Sequence, residues 1–256
     1  MYRWDREITS GKVMARKAGE IALQYWNRGV TAERKADASP VTVADKEAEK
    51  AISRAIEEEF PEDGLLGEEG SAKTSRSGRR WIIDPIDGTR DFVRGNRAWS
   101  VLIGLEADGE VVAGVSYFPA LDEMFIAARG SGAHCNDAPI HASPISDASQ
   151  AVLSVNGFNR IRNSGLPAGL VDWMEQFWAV RSMGGCLDAM MIARGQADLW
   201  IEISGQPWDF APLKIIAEEA GAKFFNFDGG SSIYGGNGVI CAPGMESVAR
   251  QFVGLS

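Results

Sequence analysis

Blocks of lysine and arginine are missing from this sequence, as are long apolar runs, a paired set of cysteines and more than two histidines. The formal net charge is −9, and without a basic cluster the field that draws proteins onto nucleic acid or anionic lipid is absent. Neither partner is expected. No segment approaches the length needed to cross a bilayer, and the opening MYRWDREITSGK is charged throughout, with no apolar signal core. Cys135, Cys186 and Cys241 are odd in number, widely spaced and outside any C-x-x-C pattern, which predicts reduced thiols and a cytoplasmic protein. His134 and His141, both near a turn, are too few to argue for histidine-based chemistry. What is present is ordinary globular material: 45% apolar and 24% charged residues over 256 positions, enough to bury roughly 70–75% of the unfolded surface.

The apolar spacing divides the chain by type. Met14, Ala18, Ile21, Ala22 and Tyr25 recur at three- and four-residue steps, predicting a helix over 12–25. A second helix is predicted from Val43 to Phe60, started by Thr42 and stopped by Pro61, with a polar loop KADASP between the two. From Trp81 to Phe125 short apolar runs separated by turn signals predict successive antiparallel strands. After about Ser143 strands alternate with helices, the first helix expected over 168–177 and the last running from Asp209 to Gly221 with Pro212 in its first turn, before a closing strand AKFFNF. The fold class expected is α/β (α+β), with halves 1–145 and 146–256 packed as one unit.

The chemistry concentrates in WIIDPIDGT, Trp81 to Thr89. Pro85 fixes its own backbone angle and Asp87-Gly88 favours a tight turn, so Asp84 and Asp87 project from one rigid strand end. Two such anions repel each other unless they merely open a turn or share a divalent cation. Mg²⁺ characteristically takes a few carboxylates and an occasional carbonyl, here that of Ile86. Thr89 and the amides after Gly88 offer an anion site beside those acids, which points to phosphoryl chemistry. Upstream, LLGEEG carries Glu68 and Glu69, either as a solvated turn or facing the same metals. Asp45, three residues after Thr42, is placed for a capping box. Asp209 is placed as an N-cap, a role compatible with holding metal.

WIIDPIDGTRDF, preceded by GEEG and followed far downstream by PWDFAPLKIIAEEAG, resembles the signature motifs of the inositol monophosphatase superfamily of Mg²⁺-dependent, often lithium-sensitive phosphatases. KADASPVTVADKEAE and GSGAHCNDAPIHAS extend the likeness over nearly the whole chain. The resemblance implies a layered αβαβα sandwich, with a mixed antiparallel N-terminal sheet and a mostly parallel C-terminal sheet, assembled as a homodimer. It also implies two or three Mg²⁺ ions. Glu68, Asp84 and the Ile86 carbonyl would hold the first, Asp84, Asp87 and Asp209 the second, and Glu68 would reach a third. Thr89, oriented by Asp45, would help Glu68 activate the attacking water. Asp87, Gly88, Thr89, Arg90, Gly185, Cys186, Glu202 and Asp209 would line the substrate.

Two signals for the substrate conflict. Where inositol phosphatases carry a second threonine and an asparagine, this chain has Arg90 and Asp91; with Gly184–Cys186 this is closer to the histidinol-phosphate branch. Glu202 instead matches the glutamate that touches inositol hydroxyls. The leading expectation is a phosphatase of a small monoester, foremost an inositol monophosphate, with histidinol phosphate as the alternative. A non-catalytic binding protein of the same fold ranks below both, because every metal-ligand position is filled.

Overall fold

The two N-terminal periodicities become the outer layer of the molecule. The structure is a computed structural model and describes residues 3–29, 33–34, 40–163, 166 and 169–255. Helix α1 (Asp5–Trp26) begins about two turns earlier than its apolar spacing suggests and buries Met14, Ala18 and Ala22. Residues β1 (Glu33–Arg34) and β2 (Pro40–Val41) form a small ladder; the rest of the predicted loop, 35–39, lies outside the described residues. Helix α2 (Val43–Glu59) starts at Thr42 in a complete capping box: the Thr42 hydroxyl accepts from the Asp45 amide while the Asp45 carboxylate accepts from the Thr42 amide.

Both helices cover one face of a sheet built from β3 (Gly64–Gly67), β4 (Ala72–Lys73), β5 (Arg79–Asp87), β6 (Ser100–Ala107), β7 (Glu110–Phe118), β8 (Glu123–Ala128), β9 (Ala133–Cys135) and β10 (Ala138–Ile140). Its order is β10-β9-β8-β7-β6-β5-β3-β4, antiparallel throughout except where β3 runs parallel to β5. A short helix α3 (Thr89–Val93) follows β5. The second sheet takes β11 (Val152–Asn156), β12 (Ala179–Arg181), β13 (Leu199–Glu202), β14 (Lys223–Phe225) and β15 (Gly238–Cys241) in the order β12-β11-β13-β15-β14. Strands β12, β11 and β13 are parallel, as their intervening helices require. Strand β15, absent from the sequence reading, pairs antiparallel with both β13 and β14, so the sheet holds two parallel and two antiparallel ladders.

Helices α5 (Gly185–Ala193) and α6 (Pro207–Glu219) lie between the sheets in one shared core, with α4 (Leu170–Met174) and α7 (Glu246–Phe252) on the far side, giving the layered αβαβα order. Helix α4 is shorter than the 168–177 span expected for it. Among the described residues no helix is long and apolar enough to cross a membrane.

Helix α6 reaches the first sheet because two glycines leave room for it. Gly104 and Gly114 are cross-strand partners on β6 and β7; a Cβ at Gly104 would lie 2.7 Å from Ala211 Cβ, and one at Gly114 2.6 Å from Ile215 Cγ2 and 2.8 Å from Pro212 Cα. Neither backbone is left-handed, so close approach alone demands the missing side chain. Gly114→Val is therefore expected to lower stability by about 1–3 kcal/mol through overpacking, read as a lower urea midpoint; an unchanged midpoint would show that the helix moves aside freely.

Candidate active site

Asp84 and Asp87 are three residues apart, and in a regular strand that spacing sends side chains to opposite faces. Here the β5–β6 ladder breaks between Asp84↔Leu102 and Asp87↔Ser100, with Pro85 and Ile86 opposite one residue of β6. Proline has no N–H to give the ladder, and the resulting bulge re-aims the chain so that both acids converge. The Ile86 amide donates to Asp84 Oδ1 at 2.9 Å, locking the corner. Gly88 follows in the left-handed region at φ 85°, and a Cβ there would sit 2.8 Å from the Ala98 carbonyl.

Three further elements deliver their groups to this corner. Strand β3, parallel to β5, ends at Gly67, and the Glu68 amide donates to the Ile83 carbonyl at 3.2 Å, so Glu68 emerges beside Asp84 and contacts its carboxyl. Asp45, buried on α2, accepts from the Thr42 hydroxyl at 2.5 Å and is in reach of Thr89 Oγ1 at 3.5 Å, which also reaches the Ile86 carbonyl at 3.2 Å. Asp209 enters on α6, but not as its N-cap. Gln206 is the cap, Pro207 takes the first helical position where a missing N–H costs little, and Asp209 is three residues in, accepting the Gln206 amide at 2.7 Å. Pro212 accordingly sits inside the helix rather than in its first turn.

Carboxylate oxygens of Asp84, Asp87 and Asp209 all lie within 4.8 Å of one another, and among the described residues no Lys or Arg is ion-paired with these three. Burial followed by the charge of Glu68 pushes Asp84 well above the usual carboxylate range; burial and then Asp87 do the same for Asp209. Asp87 is pushed up to about 6, chiefly by burial and opposed by its hydrogen bond with Cys186. Asp45 also rises to about 6 through burial. Anions crowded this way, with oxygen donors only, fit a divalent cation that would cancel their repulsion.

The acids form one end of a cavity of about 520 Å³. Arg90 lies at its exposed rim, and Gly185 and Cys186 form its wall at the start of α5. Cys186 is 1% exposed, and burial holds its thiol well above the ordinary range. Glu202 lies in the lining, only 6% exposed, accepting from Asn156 Nδ2 at 2.5 Å and from the Ser204 amide at 3.2 Å. Burial pushes its pKa up to about 7. A Cβ on Gly185 would lie 3.0 Å from Asn156 Nδ2 and 3.3 Å from Glu202 Oε2, so the wall has no side chain where that pair sits.

A family model described as the inositol monophosphatase family matches residues 4–254. The chain belongs to the inositol monophosphatase family. As a member it is a phosphatase acting on phosphate monoesters, of a generally metal-dependent kind. It is 41% identical over 233 residues to a histidinol-phosphatase of Chlorobaculum parvum, covering 90% of this chain and 89% of that one. It is 31% identical over 245 residues to an inositol-1-monophosphatase of Rhizobium meliloti, covering 94% and 89%. The solved structure of extragenic suppressor protein suhB from Bartonella henselae superposes with a TM-score of 0.89 at 28% identity, covering 98% of this chain and 99% of that one.

The cavity also contains groups that the sequence motifs do not single out. Asn156 at the end of β11 and Asn159 and Arg160 in the segment after it line the cavity, as does Trp208. Asp188, fully buried, accepts the amides of Met183 (3.0 Å) and Gly184 (3.3 Å) and so shapes the turn before Gly185. Asn156 and Arg160 carry no local sequence signal, because their partners, Glu202 and Ser204, are distant in the chain.

Proposed function

We propose that the protein is a Mg²⁺-dependent phosphatase whose substrate is histidinol phosphate, with an inositol monophosphate as the second reading. The convergence of Asp84, Asp87 and Asp209 within 4.8 Å, at one end of a cavity with buried Glu202 in its lining, carries this reading. Arg90 and the 41% relative named histidinol-phosphatase support the first substrate. So does the charge of the lining: a buried carboxylate attracts a leaving group bearing an ammonium, whereas a neutral polyol offers it only hydroxyls.

In this reading Glu68, Asp84, the Ile86 carbonyl, Asp87 and Asp209 hold two or three Mg²⁺ ions. Bound there, the ions cancel the repulsion of an anionic ester, acidify water and stabilise the oxygens that enter and leave. Glu68 takes the proton of the attacking water, and Thr89, tied to Asp45, orients that water for in-line attack. Gly88 and Thr89 amides position the phosphate, while Arg90, Gly185, Cys186 and Glu202 shape the leaving-group side. A homodimer, a cytoplasmic setting and halves meeting near residue 145 belong to the same proposal. The exposed apolar side chains Val171, at 68%, and Trp178, at 73%, support an interface that light scattering checks.

Phosphate release from histidinol phosphate and inositol 1-phosphate, measured side by side with Mg²⁺ and again with chelator, tests the reading. A kcat/KM at least about tenfold higher for histidinol phosphate, roughly 1.4 kcal/mol, is expected, with activity abolished by chelator. The opposite preference favours the second substrate, and activity that survives chelation defeats the metal mechanism.

A further inference from the structure

Helix α2 supports the site at two levels. Asp45 and Glu49 lie one turn apart on the same side, with Ser53 a further turn along. Asp45 reaches toward Thr89, as described. Glu49, only 2% exposed, turns instead to the loop that carries Glu68: its Oε2 accepts the Glu69 amide and its Oε1 the Ser71 amide, both at 2.8 Å. Ser53 Oγ donates to Ser71 Oγ at 3.0 Å from the next turn of the helix.

The loop closes on itself through Gly67 N to Ser71 O at 2.8 Å, and Glu68 N is fixed to Ile83 O. One side of Glu68 is thus tied to the strand that bears Asp84, and the other side to Glu49. Gly67 shows how close the second tie is. A Cβ there would lie 2.7 Å from both Cδ and Oε2 of Glu49 and 2.8 Å from Oε1, and since the backbone is not left-handed, the carboxylate itself excludes the side chain. Among the described residues no Lys or Arg is ion-paired with Glu49. A buried anion in that position is tolerated only if its oxygens are hydrogen-bonded, and both ties it makes go to a single turn.

We propose that Glu49 is a positioning residue for Glu68: by accepting both amides it sets the orientation of the 67–71 turn, and so aims the Glu68 carboxylate at Asp84 rather than at solvent. The same helix face then registers two parts of the water-activating group, Thr89 through Asp45 and Glu68 through Glu49. The proposal rests on the reading of Glu68 as a metal ligand.

Glu49→Gln tests it. The substituted amide keeps the volume but replaces one acceptor with an NH₂ that faces a backbone N–H, so one tie is lost. Manganous ion affinity of the purified full chain, followed by electron paramagnetic resonance, is expected to weaken about tenfold, the scale of effect seen when a group supporting a metal ligand is removed. The value of kcat with Mg²⁺ falls in step. Gly67→Ala approaches the same contact from the other side, leaving Glu49 in place while forcing it away, and is expected to weaken Mn²⁺ binding likewise. A Glu49→Gln protein that melts at a lower temperature yet binds Mn²⁺ with unchanged affinity overturns the proposal, since that is the signature of a purely structural group. If Glu49→Gln does not fold, Gly67→Ala decides by the same criterion. Glu68→Gln separates the two levels: unchanged Mn²⁺ affinity there defeats the reading of Glu68 and the proposal with it, whereas loss there with retention in Glu49→Gln defeats the positioning role alone.

Discussion

Asp87→Asn is expected to lower kcat by on the order of 10³-fold, about 4 kcal/mol of transition-state stabilisation, while raising the melting temperature of the metal-free protein. Both effects follow from one cause. In the proposed reading, with metal bound, the Asp87 charge would help to hold a cation whose worth to the reaction is several kcal/mol. Without metal, the same charge sits buried among Glu68, Asp84 and Asp209, where burial first and neighbouring carboxylates second push all three aspartates up, so that part of the cost of each is mutual repulsion. Neutralising one member relieves it, and each kcal/mol gained lifts the midpoint by about 2–4 °C in a chain of this size. Steady-state kinetics with Mg²⁺ and thermal unfolding in chelator read the two arms. Near-normal turnover would remove Asp87 from the metal site, and a lower metal-free midpoint would show that its hydrogen bond with Cys186 outweighs the repulsion.

Glu202→Gln should change what the enzyme accepts more than how fast it turns over. The carboxylate is held ready in the cavity lining by Asn156 and the Ser204 amide, with Gly185 leaving the space beside it clear. Hydrogen bonds to charged groups contribute about 1.5–3 kcal/mol, so kcat/KM for histidinol phosphate should fall between about tenfold and about a hundredfold. An uncharged polyol phosphate should lose much less, because Gln still offers it a donor and an acceptor. Equal losses on both substrates would mean that Glu202 shapes the cavity without reading the charge of the leaving group.

The parts of the site legible in the sequence are those written locally. Asp84, Pro85, Asp87, Gly88 and Thr89 act within one bend, so their spacing carries the chemistry, and the capping box at Thr42 and Asp45 is equally local. The start of α6 was legible as to type but not register, because Asp209 itself satisfies the N-cap pattern and the stronger signal, Pro207 in the first helical position, lies two residues earlier. Strand β15 escaped notice because four buried residues give no period to read. The burial of Glu202 and Glu49 had no signature at all. Glutamate is ordinarily exposed, and in KEAEK nothing marks Glu49 apart from Glu47; only the arrival of the 67–71 turn does so.

The paired glycines beneath α6 also set an order on assembly. During synthesis β6 and β7 emerge first, and the dent at Gly104 and Gly114 must wait for a helix encoded roughly a hundred residues later, on the order of 5–20 s at ordinary translation rates. Until that helix docks, a groove that will be core faces solvent and Asp209 is absent from the acidic corner. In the proposed reading the metal-binding corner is therefore complete only after the two sheets have closed on their shared helix, because Asp209 arrives with it.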